Sequence, residues 1–518
     1  MPAEKADLVL HEGAVFGHPE SDSVAVADGR IIAHARFAEL KPLVGPRTHL
    51  IRLAGRTIAP GFIDCHLHFM EGASAATGVS VFRCRTIGDL LADLRVAAGK
   101  APPGNWLRAF GCDEALMRDR RGPTRAELDQ SVTRNPLRLR HQTLHGSWLN
   151  SRAIATLGLE APGFTPPAGA TLERDATGRL TGLVAGMEQW LSARLPLVTA
   201  AELESRARLF SRELAAAGIT AFTDATVRNA PDDLAMFARL AGVGAICQRT
   251  AAMIGQDHRD ALGEARRVAE AAGIRLAGVK FMGVERSDPP RLARRVADAL
   301  GQGIDVAFHA TEVDELEAAL IAIAAAHRDV SLKSATGAIC RIEHGGLIPP
   351  DYPERIAALG AWVVCNPGFL YYRGAKYAAD PGLVPYLYRA RSLAAAGVAI
   401  AAGTDAPVTP PRPLMAIAAA VTRLSIDGDE LAPAEKISLA EAFALFTTQA
   451  SRLSRLGAGE IAPGRLADLI VLPADPLALT PAELHNLAVD MTIVGGRAVY
   501  ERGRPAVANS DIANLYSP

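Results

Sequence analysis

Eight short apolar segments alternate with helical segments across the middle of the chain, and this alternation constrains the fold more than any other feature. Glycines close several of the helical segments, as is usual just beyond a helix C-terminus. Strands that alternate with helices form parallel sheets, and eight such units close into a barrel with its catalytic face at the strand C-termini. The sequence therefore predicts a (β/α)8 TIM barrel of the α/β class, with strands in residues 62–69, 219–226, 245–253, 276–283, 305–310, 339–345, 361–369 and 398–405.

The two ends of the chain carry a different pattern, of short strand-like runs joined by glycine-containing turns. Such runs occupy the segment before residue 57 and return after residue 467. Chain ends commonly lie close together in folded domains. We therefore expect both ends to build one composite β-sandwich, which gives three parts: residues 1–57 and 456–518 as its two halves, and residues 58–455 as the barrel.

A long segment separates the first predicted barrel strand from the second. It spans about 150 residues, several times the length of an ordinary β/α connection. We expect an inserted subdomain at about residues 72–215. An insertion after a barrel strand emerges on the catalytic face, so its natural role would be to cover the site and select the substrate.

Composition argues against several classes of partner. The formal net charge is −1 at pH 7, so no overall field would attract nucleic acid or an anionic membrane. The six cysteines are dispersed without a CxxC pair, which favours a reducing compartment over a disulfide framework. The N-terminus lacks a signal-peptide pattern, and no apolar run reaches transmembrane length. We expect a cytoplasmic protein.

Polar residues end several of the predicted barrel strands. Residues two apart in a strand share a face, so His66 and His68 project together and could hold one metal ion. Each residue also has an ordinary structural explanation, such as a hydrogen-bonded histidine, a snorkelling lysine or an aspartate that caps a turn. Six such residues at barrel-strand ends are difficult to attribute to independent accidents. The set predicts a metal centre and consists of His66, His68, Lys280, His309, His344 and Asp405.

Lys280 is the unexpected member, because the chain has only seven lysines and this one lies in an apolar strand. Burial lowers a lysine's pKa, and the neutral amine can add carbon dioxide to give a carbamate. A carbamate has two oxygens and could bridge two divalent metals. The alternative is a lysine that forms an ion pair with Asp405.

These strand-end motifs resemble the amidohydrolase superfamily, and most closely its amidohydrolase 3 or YtcJ-like branch, which includes N-substituted formamide deformylases. The resemblance covers nearly the whole chain. The motifs that carry it are Pro60-Gly61-Phe62-Ile63-Asp64-Cys65-His66-Leu67-His68, Gly278-Val279-Lys280-Phe281, Ala307-Phe308-His309-Ala310, Arg341-Ile342-Glu343-His344 and Gly403-Thr404-Asp405-Ala406-Pro407.

The resemblance implies a role for each member of the set. His66 and His68 would bind one metal and His309 and His344 the other, while carbamylated Lys280 would bridge the two ions. Asp405 would ligate the first metal and act as the catalytic base. Neutral imidazoles and carboxylates suit zinc, so two Zn²⁺ ions are the expected cofactor, with manganese, cobalt and iron as alternatives. A homodimer is a guess that rests on the resemblance alone.

The inserted segment also resembles that branch, with departures. The segment from His141 to Ala153 matches the place where the family usually has Asp-Gly-His, but Thr143-Leu144 replaces Asp-Gly here. His145 keeps the position that would face the substrate and help to stabilise an oxyanion. Gly111-Cys112-Asp113-Glu114 has cysteine where the family commonly has tryptophan. The predicted substrate-binding residues are Asp113, His145, Trp148, Tyr371 and Tyr372.

The predicted activity is hydrolysis of a non-peptide C–N bond in an amide, N-formyl or cyclic amide, with an aromatic or hydrophobic group favoured. Water between two divalent ions would become hydroxide near neutral pH, and Asp405 would take and return the proton. A mononuclear heterocycle deaminase and an ester or lactone hydrolase remain alternatives on the same site. A non-catalytic barrel scaffold is a remote alternative, because none of the metal ligands is missing. The sequence contains no Gly-x-Ser-x-Gly elbow and no nucleotide-binding glycine motif.

Overall fold

A computed structural model describes residues 5–196, 198–283, 289–328 and 337–504. The chain divides into two compact units, one made of Met1–His68 and Ser211–Pro518 and the other of Phe69–Phe210. The outer ends of the two predicted sandwich segments, residues 1–4 and 505–518, lie outside the described residues. None of the helices in the described residues combines the length and the apolar character that spanning a membrane requires.

Eight strands form a single sheet in the first unit, and each pairs in parallel with the next along the chain. This arrangement confirms the predicted α/β barrel. We label the strands β1 (Phe62–Leu67), β2 (Ile219–Asp224), β3 (Arg249–Gly255), β4 (Arg275–Phe281), β5 (Val306–Ala310), β6 (Cys340–His344), β7 (Trp362–Cys365) and β8 (Ile400–Ala402).

One predicted strand, residues 361–369, is too long. The chain leaves β7 at Cys365, and Phe369 lies in the helix Gly368–Tyr372. Pro367 has no amide N–H and cannot continue a strand ladder, so the extended backbone ends before it. The apolar run therefore contains the end of a strand and the start of a buried helix. Apolar character alone does not distinguish a buried strand from a buried helix.

Helices separate the barrel strands, and their apolar residues face the sheet. In Leu262–Ala271, for example, Leu262, Ala265 and Ala269 follow helical spacing and are buried. The α-helices of this unit are Phe37–Leu40, Pro231–Gly242, Leu262–Ala271, Pro289–Gly301, Val313–His327, Tyr352–Ala358, Gly368–Tyr372, Gly374–Ala378, Ala390–Ala395, Pro413–Thr422, Leu439–Leu445, Thr448–Ser454 and Pro481–Asn486. Short 3₁₀ helices occur at Lys41–Leu43, Gln256–Ala261, Val384–Tyr386, Pro433–Glu435 and Pro476–Ala478.

β1 and β8 are the two ends of the sheet, and the segment that follows β8 joins them. Thr404 donates to the Asp64 carboxylate from its backbone N and its Oγ1, at 3.0 and 2.5 Å. Asp405 N donates to His66 O at 2.7 Å, and His68 N donates to Ala406 O at 2.8 Å. The barrel is therefore closed by the same segment that carries Asp405.

Two further sheets of the first unit form a β-sandwich. One sheet contains Arg30–Ala35, Ser23–Ala27, Leu8–His11 and His49–Arg52 in that order. The other contains Ala14–Val15, Thr57–Pro60, Leu469–Leu472, Met491–Val494 and Arg497–Glu501. Thr57–Pro60 pairs antiparallel with Leu469–Leu472, so the second sheet combines strands from both ends of the chain. Apolar side chains of both sheets share one core, which includes Leu10, Val24, Leu469 and Ile493.

The second unit, Phe69–Phe210, contains its own sheet of six strands. Their order is Thr171–Arg174, Leu180–Ala185, Gly146–Leu149, Leu137–His141, Leu107–Cys112 and Val79–Ser80. Its helices are Phe69–Ala76, Ile87–Lys100, Arg125–Ser131, Ser151–Leu157 and Glu188–Ser192, and Ala200–Ala216 continues into the first unit. Two apolar clusters form its core, one of which contains Leu94, Leu139 and Trp148.

The closure of the barrel predicts the effect of a small substitution at Gly403. A Cβ atom there would lie 2.6 Å from both Cβ and backbone N of His66, so Gly403→Ala must displace β1 or the Thr404 segment. We expect a loss of about 1–3 kcal/mol in the free energy of unfolding, measured by denaturant titration. Gly263→Ala is the matched control, because that helical glycine has open space around its Cβ position. Equal stability of the two variants would contradict the prediction.

Candidate metal centre

The end of β1 and the segment after β8 bring His66, His68 and Asp405 together. Asp405 Oδ1 lies 3.5 Å from His66 Nε2 and 3.1 Å from His68 Nε2. These three residues form a group whose ligand atoms are close enough to share one ion. Asp405 has a left-handed backbone conformation, with φ of 59°, which is uncommon for a residue with a side chain and typical of functional sites.

A second pair of histidines lies at the ends of β5 and β6. His309 Nδ1 and His344 Nε2 are 3.1 Å apart. The pair adjoins the first group, because the ring centroids of His66 and His344 are 4.7 Å apart. His344 also has a left-handed backbone, with φ of 72°. The four predicted histidine ligands therefore converge at one end of the barrel.

Lys280 is buried on β4, with 2% of its surface exposed. Among the described residues, its Nζ has no hydrogen-bond partner, and no ion pair with Asp405 is formed. Burial lowers the pKa of Lys280 to about 8, although the Glu343 and Asp405 carboxylates oppose the change. A buried amine without a partner is costly, and a group that reacts with it or neutralises it would remove that cost.

Hydrogen-bond acceptors and hydroxyls orient the imidazoles from behind. His66 Nδ1 contacts Glu343 Oε2, and His344 Nδ1 lies 2.8 Å from Asn366 Oδ1. His68 Nδ1 lies 2.9 Å from Thr226 Oγ1. Metal-binding histidines typically have such a partner on the ring nitrogen that does not bind the ion. In all three residues this leaves Nε2 facing the centre.

The electrostatics of the centre favour neutral imidazoles at His66 and His344. Burial lowers the pKa values of His66 and His344 well below the ordinary value, and the charge of Lys280 lowers them further. Burial also acts to lower the pKa of His68, but the Asp405 carboxylate outweighs it and the net change is upward. Neutral imidazoles and a carboxylate are the ligands that zinc and similar divalent ions prefer.

Glu343 and Arg341 form a buried ion pair that the sequence analysis did not single out. Arg341 Nε and Nη2 donate to the two Glu343 carboxylate oxygens at 2.7 and 3.1 Å, and Nη2 also donates to Cys65 O. The pair positions the carboxylate that contacts His66. Residues 341 and 343 share a face of β6. Two opposite charges on one face of an apolar strand could have predicted this ion pair from the sequence.

The predicted substrate residues Tyr371 and Tyr372 lie on the helix Gly368–Tyr372, which follows β7. Tyr371 Oη is 3.4 Å from His485 Nε2, and Tyr372 is buried. Phe369 on the same helix stacks on His344, with 6.1 Å between the ring centroids. This helix is therefore adjacent to the second histidine pair, and the roles of the two tyrosines stay predictions.

The other predicted substrate residues belong to the inserted unit. Asp113 is buried just after Leu107–Cys112, and its carboxylate accepts from Ala115 N at 3.0 Å. Trp148 is 4% exposed and packs in the core of that unit, while His145 is exposed. These positions are given within the inserted unit only. The contacts of Asp113, His145 and Trp148 with a substrate stay predictions.

The fold and this group of side chains define a barrel protein with a candidate metal centre at the ends of its strands. The model of the amidohydrolase family matches residues 49–500, and the chain belongs to that family. The match covers the barrel, the insertion and the C-terminal part of the sandwich, and it leaves out most of the N-terminal part. The predicted resemblance is confirmed, and the protein is a hydrolase of this family.

Three individual proteins show how far the similarity extends. The N-substituted formamide deformylase of Arthrobacter pascens is 27% identical over 93% of this chain and 95% of its own length. The putative amidohydrolase YtcJ of Bacillus subtilis (strain 168) is 25% identical over 95% of this chain and 99% of its own. An uncharacterized metal-dependent hydrolase from Pyrococcus horikoshii OT3 shares the fold, with a TM-score of 0.69, 20% identity and coverage of 92% of this chain and 99% of its own.

The position of Glu343 predicts that it supports metal binding through His66. Glu343→Gln removes the carboxylate that fixes the imidazole, so we expect zinc affinity to fall about 10- to 100-fold. Competition with a chromophoric chelator measures this affinity. Glu430→Gln is the control, because Glu430 forms an exposed ion pair with Lys436. Unchanged zinc affinity in Glu343→Gln would show that the carboxylate does not orient His66.

Proposed function

We propose that the protein hydrolyses a non-peptide C–N bond of a small molecule, with N-substituted formamides as the first substrate class to test. The convergence of four imidazoles, one aspartate and one buried lysine at the end of the barrel carries this proposal. The similarity to the deformylase along nearly the whole chain supports the choice of substrate class. A cytoplasmic location and a homodimer belong to the same proposal.

The ligand set divides between two divalent ions, with zinc favoured. His66, His68 and Asp405 would hold one, and His309 and His344 the other. Lys280 would bridge them as a carbamate, formed when its neutral amine attacks carbon dioxide and releases one proton. The lowered pKa of Lys280 makes the neutral amine accessible near pH 8.

Bound divalent ions would supply an acidified water as nucleophile and would polarise the substrate carbonyl. Asp405 accepts the proton of the attacking water and returns it to the leaving nitrogen, which leaves as a neutral amine. His145 is proposed to donate a hydrogen bond to the developing oxyanion. Asp113, Trp148, Tyr371 and Tyr372 are proposed substrate contacts.

Metal content tests the bridging role of Lys280. Protein purified without chelator is expected to contain about two zinc equivalents per chain in the barrel centre, and Lys280→Ala is expected to lose most of these two, because the bridge contributes to both coordination spheres. Lys436→Ala, at an exposed lysine, is the control. Carbon-13 NMR after exchange with labelled bicarbonate should show a carbamate signal in the wild type alone. Metal content that does not depend on Lys280 would remove the bridge from the proposal.

Activity with matched substrates tests the reaction class. We expect formate release from an N-substituted aryl formamide, and a decrease in kcat of about 10²- to 10⁴-fold in Asp405→Asn, because the asparagine cannot carry the proton. The corresponding formate ester and an amino-substituted heterocycle are tested in parallel. A preference for the ester would indicate an esterase, and ammonia release from the heterocycle would indicate a deaminase. Either result would replace the amide proposal.

A further inference from the structure

A second group of metal-binding side chains lies in the β-sandwich, and none of its members belongs to the barrel centre. His34 is part of the strand Arg30–Ala35, while His18 and Glu20 lie in the loop after Ala14–Val15. Each residue offers one ligand atom, and these atoms all lie within 4.8 Å of one another. The two imidazole rings are close, with 4.0 Å between their centroids.

The contacts of His18 determine which ring nitrogen can bind a cation. His18 Nε2 lies 2.9 Å from the backbone oxygen of Ile461, which can only accept, so this nitrogen carries the proton. In the neutral ring Nδ1 is then bare, and it faces Glu20 Oε1 at 3.3 Å. A bare nitrogen and a carboxylate oxygen are both acceptors. Their contact therefore requires a cation between them or a second proton on the ring.

His34 also has an oxygen atom in contact with one of its ring nitrogens. Its Nδ1 lies 3.1 Å from Ser21 Oγ, a hydroxyl that can donate or accept a hydrogen bond; when the hydroxyl accepts, Nδ1 carries the proton and Nε2 can bind a cation. Burial and the neighbouring His18 lower the pKa of His34, which favours the neutral form that binds metals. Both histidines thus have an oxygen partner on one ring nitrogen, as metal-binding histidines typically do.

We propose that His18, Glu20 and His34 bind one divalent transition-metal ion of the zinc class, with water completing its coordination. Two imidazoles and one carboxylate suit zinc, copper or nickel and are a poor match for magnesium or calcium. The Glu20 side chain is 66% exposed, so the ion exchanges with solvent. Through His18 and its bond to Ile461, 443 residues away in sequence, the ion links the N-terminal loop to the C-terminal half of the sandwich.

Zinc binding by the intact chain tests this site. Equilibrium dialysis at micromolar free Zn²⁺ compares the wild type with His34→Ala, Glu20→Gln and His49→Ala. His49 is an exposed histidine on the same sheet and serves as the control. We expect one zinc equivalent fewer in His34→Ala, at least about 10-fold weaker binding of that ion in Glu20→Gln, and no change in His49→Ala. The barrel ligands are identical in all four proteins, so the differences report the sandwich ion alone.

Each outcome decides the proposal. Equal zinc content and affinity in the wild type, His34→Ala and Glu20→Gln would overturn it. Loss of the same equivalent in His49→Ala would show adventitious surface binding and would also overturn it. Glu20 is exposed, so Glu20→Gln is expected to fold normally, and weaker zinc binding there cannot be attributed to unfolding. Because the readout is a zinc count, failure of the proposed hydrolase activity would leave this result unaffected.

Discussion

The candidate centre depends on the hydrogen bonds between Asp64 and Thr404. These bonds hold the segment after β8 against β1, and they place Asp405 opposite His66 and His68. The Asp64 carboxylate is fully buried, and burial raises its pKa to about 7, against the opposing effect of the Thr404 hydrogen bonds. One interaction therefore both closes the barrel and assembles the first ligand group. The closure of the barrel and the geometry of the centre therefore depend on the same hydrogen bonds.

Buried charge shapes the rest of the centre. Arg341 and Glu343 form an ion pair inside the barrel, and Glu343 Oε2 also contacts His66 Nδ1. Lys280 has no equivalent partner among the described residues. A buried amine without a partner is costly, and this cost is the reason why Lys280 is central to the proposal of a carbamate bridge.

Much of the fold could be predicted from the sequence, because strand and helix periods alternate clearly and the ligands occupy strand ends. Each of those residues has an ordinary structural explanation by itself, and only the set of six at strand ends predicts a metal centre. The roles of Asp64, Thr404 and Glu343 could not be assigned in this way, because each depends on a contact across the barrel. Asp64 and Thr404, for example, are 340 residues apart. The end of β7 was placed wrongly because an apolar run does not show where a strand becomes a helix. The group of His18, Glu20 and His34 could not be predicted from the sequence, because it depends on the pairing of the strands and on the contact between His18 and Ile461.

The antiparallel pairing of Thr57–Pro60 with Leu469–Leu472 has a consequence for biosynthesis. Thr57–Pro60 is separated from β1 by Gly61 alone, so the strand that leads into the first two histidines gains this neighbour only after the ribosome has synthesised Leu469–Leu472. Until then, the edge of Thr57–Pro60 that Leu469–Leu472 later covers is open, and exposed strand edges promote aggregation. Translation that stops before residue 469 yields a chain whose N-terminal sheet lacks this neighbour.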